Sequence, residues 1–184
     1  MFKILIIFFI LNLYNPVFSS IKEKIISQMM LTNSLSFNFI QTIDGKNENG
    51  KCIIKYPKKI WCEYNNANKK IIVSNGKSLV IKNINSGSFY QYPLNKTPLI
   101  FLLDKEYLIL KINNLEPREI DNKYINFTIF ENNNEINIFF DKESLFLVGW
   151  QTEDIYQNLA ITFISSVKIN QKINNKIFIL PKNN

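Results

Sequence analysis

Gly50-Lys51-Cys52-Ile53-Ile54-Lys55-Tyr56, then Pro57-Lys58-Lys59, then Ile60-Trp61-Cys62-Glu63-Tyr64 carries the strongest structural signal in the chain. Residues alternate in character on both sides of the Pro-Lys-Lys connection, and a period of two is the mark of a half-buried strand. The short polar connection makes the two strands an antiparallel hairpin. Its inward set is then Cys52, Ile54, Tyr56, Ile60, Cys62 and Tyr64, while Lys51, Lys55, Trp61 and Glu63 take the other face.

Upstream, Phe37 and Phe39 alternate with Ser36 and Asn38, which predicts another strand. Asp44-Gly45 and Asn49-Gly50 read as turns. Downstream, Ile71 to Val73 and Leu79 to Ile81 flank Asn75-Gly76, a two-residue hairpin signal. A strand around Ser88 to Tyr92 extends the meander. Thr97-Pro98 interrupts it: Thr suits an N-cap and Pro the first helical position, so a helix carrying Leu99, Ile100, Phe101, Leu102 and Leu103 is expected. Five consecutive apolar residues need cover, or provide it.

Strands are expected again over Tyr124 to Phe130, Glu135 to Phe140, Leu145 to Trp150, Leu159 to Ile169 and Ile177 to Leu180. Asn132-Asn133-Asn134, Asp141-Lys142 and Asn174-Asn175 supply turns. Nearer the start, Ile21, Ile25, Met29 and Met30 recur at helical spacing from about Ser20. The sum, about ten or eleven strands with two or three helices, exceeds a small sandwich and is a mainly β, α+β pattern: one large curved antiparallel sheet or barrel.

Met1-Phe2-Lys3, the apolar run from Ile4 to Leu13, and Val17-Phe18-Ser19 have the layout of a cleavable export signal, so residues 1–19 are expected to be removed. Residues 20–184 are then expected to form a single domain. Cys52 and Cys62 flank the hairpin turn. Two readings stay open for them, a disulfide that an oxidising compartment permits and a pair of buried thiols.

Composition excludes more than it selects. Histidine is absent, which removes the usual activated Ser or Cys nucleophile and the commonest metal ligand. Five glycines form no phosphate-cradling loop. The formal charge is +7, yet lysines are dispersed and Arg118 is the only arginine, a poor basis for reading nucleic acid. No catalytic residue, metal or cofactor is expected.

Apolar and aromatic side chains are in excess, with fifteen Phe and eight Tyr. Core filling is the default use of any one of them. Collectively, a sheet this large encloses more volume than its own side chains fill. An acyl chain placed there removes roughly fourteen to sixteen methylenes from water, at on the order of 0.8 kcal/mol each. Lipid is the ligand class that suits this composition.

Phe39-Ile40-Gln41-Thr42, Gly50, and Tyr56 to Tyr64 are similar to the F-x-Q-T, G and R-P-G-K-F-R-W-E-Y elements of the periplasmic outer-membrane lipoprotein carrier (LolA) family. Ile72-Val73-Ser74-Asn75-Gly76-Lys77-Ser78-Leu79 resembles its I-V-S-D-G-K-T-L, and Thr97-Pro98-Leu99 with Leu102-Leu103-Asp104 its T-P-x-x-L-L helix. Asp154, Asn158, Val167, Asn170, Ile177, Phe178 and Pro181 fit the closing D-x-x-G-N, N-V-x-x-N and F-x-x-P pattern. The likeness runs, in order, over almost the whole mature chain.

The resemblance implies an incomplete β-barrel whose helices form a lid, with Thr97 to Leu103 and Ile21 to Leu31 the lid candidates. It implies a monomeric periplasmic carrier, taking acylated lipoproteins from an inner-membrane releasing transporter to an outer-membrane receptor lipoprotein. The lipid-binding residues are expected to be Phe37, Phe39, Ile54, Tyr56, Ile60, Cys62, Tyr64, Leu99, Phe101 and Leu102. The alternative is a lipid- or peptide-sensing regulatory domain on the same half-barrel. Three departures stand out: Tyr56 replaces the family's arginine, which puts a release role at this position in question; Cys62 replaces an aromatic; and Gln157 replaces a glycine.

Overall fold

The computed structural model describes residues 19–67, 69–131, 134–153 and 157–183. The export-signal reading, the Asn132-Asn133 turn and Asp154 fall outside these residues, Ser19 excepted.

Helix α1 (Ile21–Leu31) is followed by strands β1 (Ser34–Ile43), β2 (Lys46–Lys55), β3 (Lys59–Tyr64), β4 (Lys70–Asn75), β5 (Ser78–Asn83) and β6 (Phe89–Pro93). Helices α2 (Leu99–Leu103) and α3 (Lys105–Asn113) come next. Strands β7 (Arg118–Ile120), β8 (Tyr124–Glu131), β9 (Asn134–Asp141), β10 (Leu147–Glu153) and β11 (Leu159–Ile169) complete the sheet. The eleven strands run β6-β5-β4-β3-β2-β1-β11-β10-β9-β8-β7. Every pairing is antiparallel, and the pairing of β1 with β11 joins the two halves. The sheet stays open, with β6 and β7 at its edges, so it is an unclosed half-barrel.

Alternation decides which side is buried. Leu35, Phe37 and Phe39 of β1, Ile54 of β2, Ile60 and Cys62 of β3, Phe127 of β8 and Ile138 of β9 all join one core. Ile25 and Met29 of α1, Leu102 and Leu103 of α2, and Leu108 and Ile112 of α3 pack into the same core, so the helices lie on the inner face.

The helices are fixed by identifiable bonds. Ser20 and Glu23 cap α1 reciprocally: the Glu23 N–H donates to the Ser20 hydroxyl at 3.2 Å, and the Ser20 N–H donates to the Glu23 carboxylate at 2.7 Å. At the other end of α1, the Asn170 side chain accepts from the Asn33 and Ser34 N–H groups at 2.7 and 3.3 Å and donates to the Leu31 carbonyl at 2.9 Å. One amide thus ties the α1–β1 link to the end of β11. Asn170→Ala is expected to lower stability by about 1–2 kcal/mol in urea unfolding, the worth of such bonds at an exposed site.

Several local expectations are corrected. Met30 has the spacing of the buried stripe of α1, but it is 59% exposed and Ile26 is buried instead. Asn49-Gly50 is no turn: both residues lie inside β2, opposite Ile40 and Phe39. Thr97 does not cap α2. Its hydroxyl donates to the Leu94 carbonyl at 2.8 Å, closing the preceding turn, and Pro98 is the capping residue. Ile177 to Leu180 is not a strand; Asn175–Phe178 forms a short 3-10 turn against the outer side of β3 and β4, with Phe178 buried. Helix α3 has no counterpart among the sequence expectations, although Asp104 caps it by accepting from the Tyr107 N–H at 3.3 Å.

Two residues standing where the family pattern has glycine, Lys58 and Gln157, adopt φ of +66°, the left-handed region that a side chain disfavours. The backbone at these positions has kept the glycine conformation without the glycine.

Candidate functional site

On the inner face, the alternating residues of the β1–β5 arm enclose a cavity of about 410 Å³, within the range of small-molecule sites. Register explains its wall. Cys62 lies opposite both Cys52 and Ile72, and Ile72 lies opposite Ile81. These side chains therefore form a transverse row on one face. Ile60, Leu79 and Leu99 lie toward the helical end, and Trp150 from β10 closes the far side.

The cavity has two chemically different ends. Strand order and register put Pro98, Leu99, Ile60 and Leu79 at the end where α2 packs. At the other end, where the β1–β2, β3–β4, β5–β6 and β10–β11 connections gather, the lining includes Gln41, Lys70, Asn83, Thr152 and Thr162. Between them Phe39 and Tyr64 stack edge to face, ring centres 4.7 Å apart.

Polar groups in this region are bonded to one another. The Tyr64 hydroxyl donates to the Gln41 carbonyl oxygen at 3.0 Å, and the Gln41 amide donates to the Thr162 hydroxyl at 2.9 Å. Burial, and secondarily the nearby Glu48 charge, push the Tyr64 phenol well above its ordinary range, so it stays a neutral donor. The Lys70 ammonium pairs with Glu48 and sits 3.9 Å from the centre of the Tyr64 ring.

The expected lipid-binding residues separate into groups. Phe39, Ile60, Cys62, Tyr64 and Leu99 share the cavity wall. Ile54 and Leu102 are packed into the solid core. Phe37 packs edge to face on Trp150, 6.2 Å between ring centres, and is not part of the wall. Phe101 is half-buried and stacks on Tyr107. Tyr56 borders a separate void of only about 30 Å³ beneath α1 and α3, with Met29, Leu35 and Leu108. Burial raises its phenol pKa, which keeps it uncharged there.

Of the two lid candidates, only α2 reaches the cavity; α1 covers the small void. Sequence reasoning missed Gln41, Lys70, Ile72, Leu79, Ile81, Trp150 and Thr162. Counting by twos from the Asn75-Gly76 turn would have found those on β4 and β5.

Two lysines fasten the helices to the sheet. Lys105 of α3 donates to the Met30 and Thr32 carbonyls at 3.2 and 2.9 Å, and its ammonium lies 5.7 Å from the Tyr56 ring centre. The Lys58 backbone N–H donates to the Leu103 carbonyl at 2.9 Å, and its ammonium pairs with Asp104 at 2.9 Å. The β2–β3 turn thereby grips the α2–α3 junction.

Cys52 and Cys62, directly opposed in β2 and β3, are joined as a disulfide. Closing so short a loop restricts the unfolded chain, so the double variant Cys52→Ser, Cys62→Ser is expected to lose about 2–3 kcal/mol of unfolding free energy by denaturant titration.

The family profile described as "Outer membrane lipoprotein carrier protein LolA" matches residues 31–180. No curated protein matches the chain. Among solved structures, an uncharacterised conserved protein from Thermus thermophilus is similar at 8% identity over 88% of this chain and 93% of that one, with a TM-score of 0.53. A LolA superfamily protein from Nitrosomonas europaea is similar at 11% identity over 87% and 96%, TM-score 0.47. A chain of the Pseudomonas aeruginosa MucA/MucB complex is similar at 6% identity over 87% and 60%, TM-score 0.44.

Proposed function

The chain belongs to the outer membrane lipoprotein carrier protein LolA family, and we propose accordingly that it is a periplasmic carrier, sheltering the acyl chains of a lipoprotein and shuttling them from the inner to the outer membrane. The observation that supports this most directly is the 410 Å³ cavity with a largely apolar wall under α2. Hydrocarbon gains on the order of 0.8 kcal/mol per methylene there, so a whole acyl chain outweighs any single polar contact in the wall. Carriers of this fold are non-enzymatic in general, and the reading assigns no catalytic residue.

In this reading an inner-membrane transporter supplies the acylated cargo and an outer-membrane receptor lipoprotein takes it. Exchange requires α2 to move, so the Lys58–Asp104 pair and the Lys105 contacts are the bonds that open. The experiment is displacement of a fluorescent acyl probe from the purified mature chain by a synthetic acylated lipopeptide, with the unacylated peptide as control. Displacement by the acylated form alone is expected. Absence of probe binding, or displacement by both peptides, would overturn the proposal; tight binding to a membrane signalling protein without transfer of cargo between vesicles would favour the sensing alternative.

A further inference from the structure

We infer that the Gln41–Tyr64–Thr162 cluster is a polar subsite for an uncharged acyl carbonyl, ester or amide, so that a bound chain lies with its tail toward α2 and its carbonyl near β1 and β11. This rests on the acyl-chain reading above and adds which part of the lipid is recognised, and by what.

The cavity wall is asymmetric in polarity. A cavity that holds only hydrocarbon has no use for hydrogen-bonding groups, and burying them costs free energy unless they are paired. Here three such groups from β1, β3 and β11 converge on the inner face, and all three line the cavity. Tyr64 is 6% and Thr162 2% exposed, so water contributes little to their satisfaction.

Gln41 is the centre of the cluster. Its carbonyl oxygen accepts from the Tyr64 hydroxyl and its amide donates to the Thr162 hydroxyl. A primary amide carries two N–H groups, and the bond to Thr162 uses one. Among the described residues the second has no protein acceptor, and Gln41 is half-buried and lines the cavity, which suits a guest acceptor that brings no hydrogen of its own. An acyl ester or amide carbonyl is such an acceptor, attached to the chain the cavity would shelter.

Charge argues for a neutral head. Lys70 lies beside Tyr64 but is already paired with Glu48 and stacked on the ring. Glu153 also lines this end. A carboxylate entering here meets one cation that is already neutralised and an additional anion, so a free fatty acid gains nothing over its ester. The tail end, by contrast, carries Ile60, Leu79, Pro98 and Leu99, with Tyr92 opposite Leu79 and with the Thr97 hydroxyl already bonded to the Leu94 carbonyl. Polarity along the cavity therefore sets the direction of an amphiphile.

The test is competition against a fluorescent acyl probe by four ligands of one chain length: the alkane, the fatty acid, its methyl ester and its N-methyl amide. The mature chain is compared with Gln41→Leu and Thr162→Val. The wild type is expected to bind the ester, the amide or both about fivefold to tenfold more tightly than the alkane. The favoured one tells whether a glyceryl ester or an N-acyl group is the natural source. Both variants are expected to lose that advantage, and a thermal midpoint and far-UV CD spectrum close to those of the wild type show that they are folded.

Equal binding of alkane, ester and amide by the wild type would overturn the subsite. So would a carbonyl advantage that survives in both variants, or a fatty acid that binds tenfold better than the ester. Failure of all four ligands to compete would overturn the acyl-chain reading itself.

Discussion

Ile72→Trp is expected to weaken binding of a fluorescent acyl probe about 30-fold while leaving the thermal midpoint close to that of the parent. Ile72 stands in the middle of the cavity wall, between Cys62 and Ile81 in the transverse row. An indole at this point projects into open space instead of into packed neighbours, so the usual penalty for overfilling a core does not apply. The space it occupies is no longer available to a guest. Excluding two or three methylenes at about 0.8 kcal/mol each gives about 2 kcal/mol, a factor of about 30 in affinity. Ile71→Trp is the control. That neighbour alternates to the outer face, opposite Glu63 and Lys82, and its replacement is expected to leave affinity unchanged. Equal affinity in the parent and the Ile72 variant would mean that the guest lies elsewhere.

Gly50→Val should have the largest effect on stability, about 3–4 kcal/mol in urea unfolding. A Cβ at Gly50 would lie 2.1 Å from the Glu63 carbonyl oxygen and 2.9 Å from two ring atoms of Phe39. The Glu63 carbonyl is backbone in the paired strand β3 and cannot swing aside. Phe39 is held by its stack on Tyr64, so relieving the ring contact would dismantle the aromatic pair beside the polar cluster. Acyl-probe affinity is therefore expected to fall together with stability. A variant with native stability would show that β2 and β3 can separate at this point at no cost.

This glycine shows where sequence reading reached its limit. Asn49-Gly50 has the composition of a turn, and turn chemistry is local. The residue is needed for a different reason, the passage of a Phe39 ring over its backbone from the adjacent strand. That contact exists only once β1, β2 and β3 are in register, so no window of neighbouring residues reveals it. The strand misread at Ile177 to Leu180 has the same origin: Phe178 is buried by the outer side of β3 and β4, which are remote from it in the chain.

Of the expected lipid-binding residues, four that meet on the cavity wall are specified by alternation alone. Phe39, Ile60, Cys62 and Tyr64 follow from a period of two and a tight connection. Phe37 and Ile54 have the same parity and lie opposite Cys52 and Ile60, which line the cavity, yet they are packed where the inner face is filled. Parity assigns a face and cannot tell a packed section of that face from a hollow one.

The antiparallel meander, the inward set of the β2–β3 hairpin and, through the ordered motifs, the kinship were all legible in the order of residues, because strand period and turn chemistry are written in near neighbours. The pairing of β1 with β11, the cover of the cavity by α2 and not α1, and the meeting of Gln41, Tyr64 and Thr162 emerged with the folded molecule alone. Those outcomes depend on how a twisted sheet of eleven strands distributes volume between its own side chains and the helices laid across it, a property of the assembled surface.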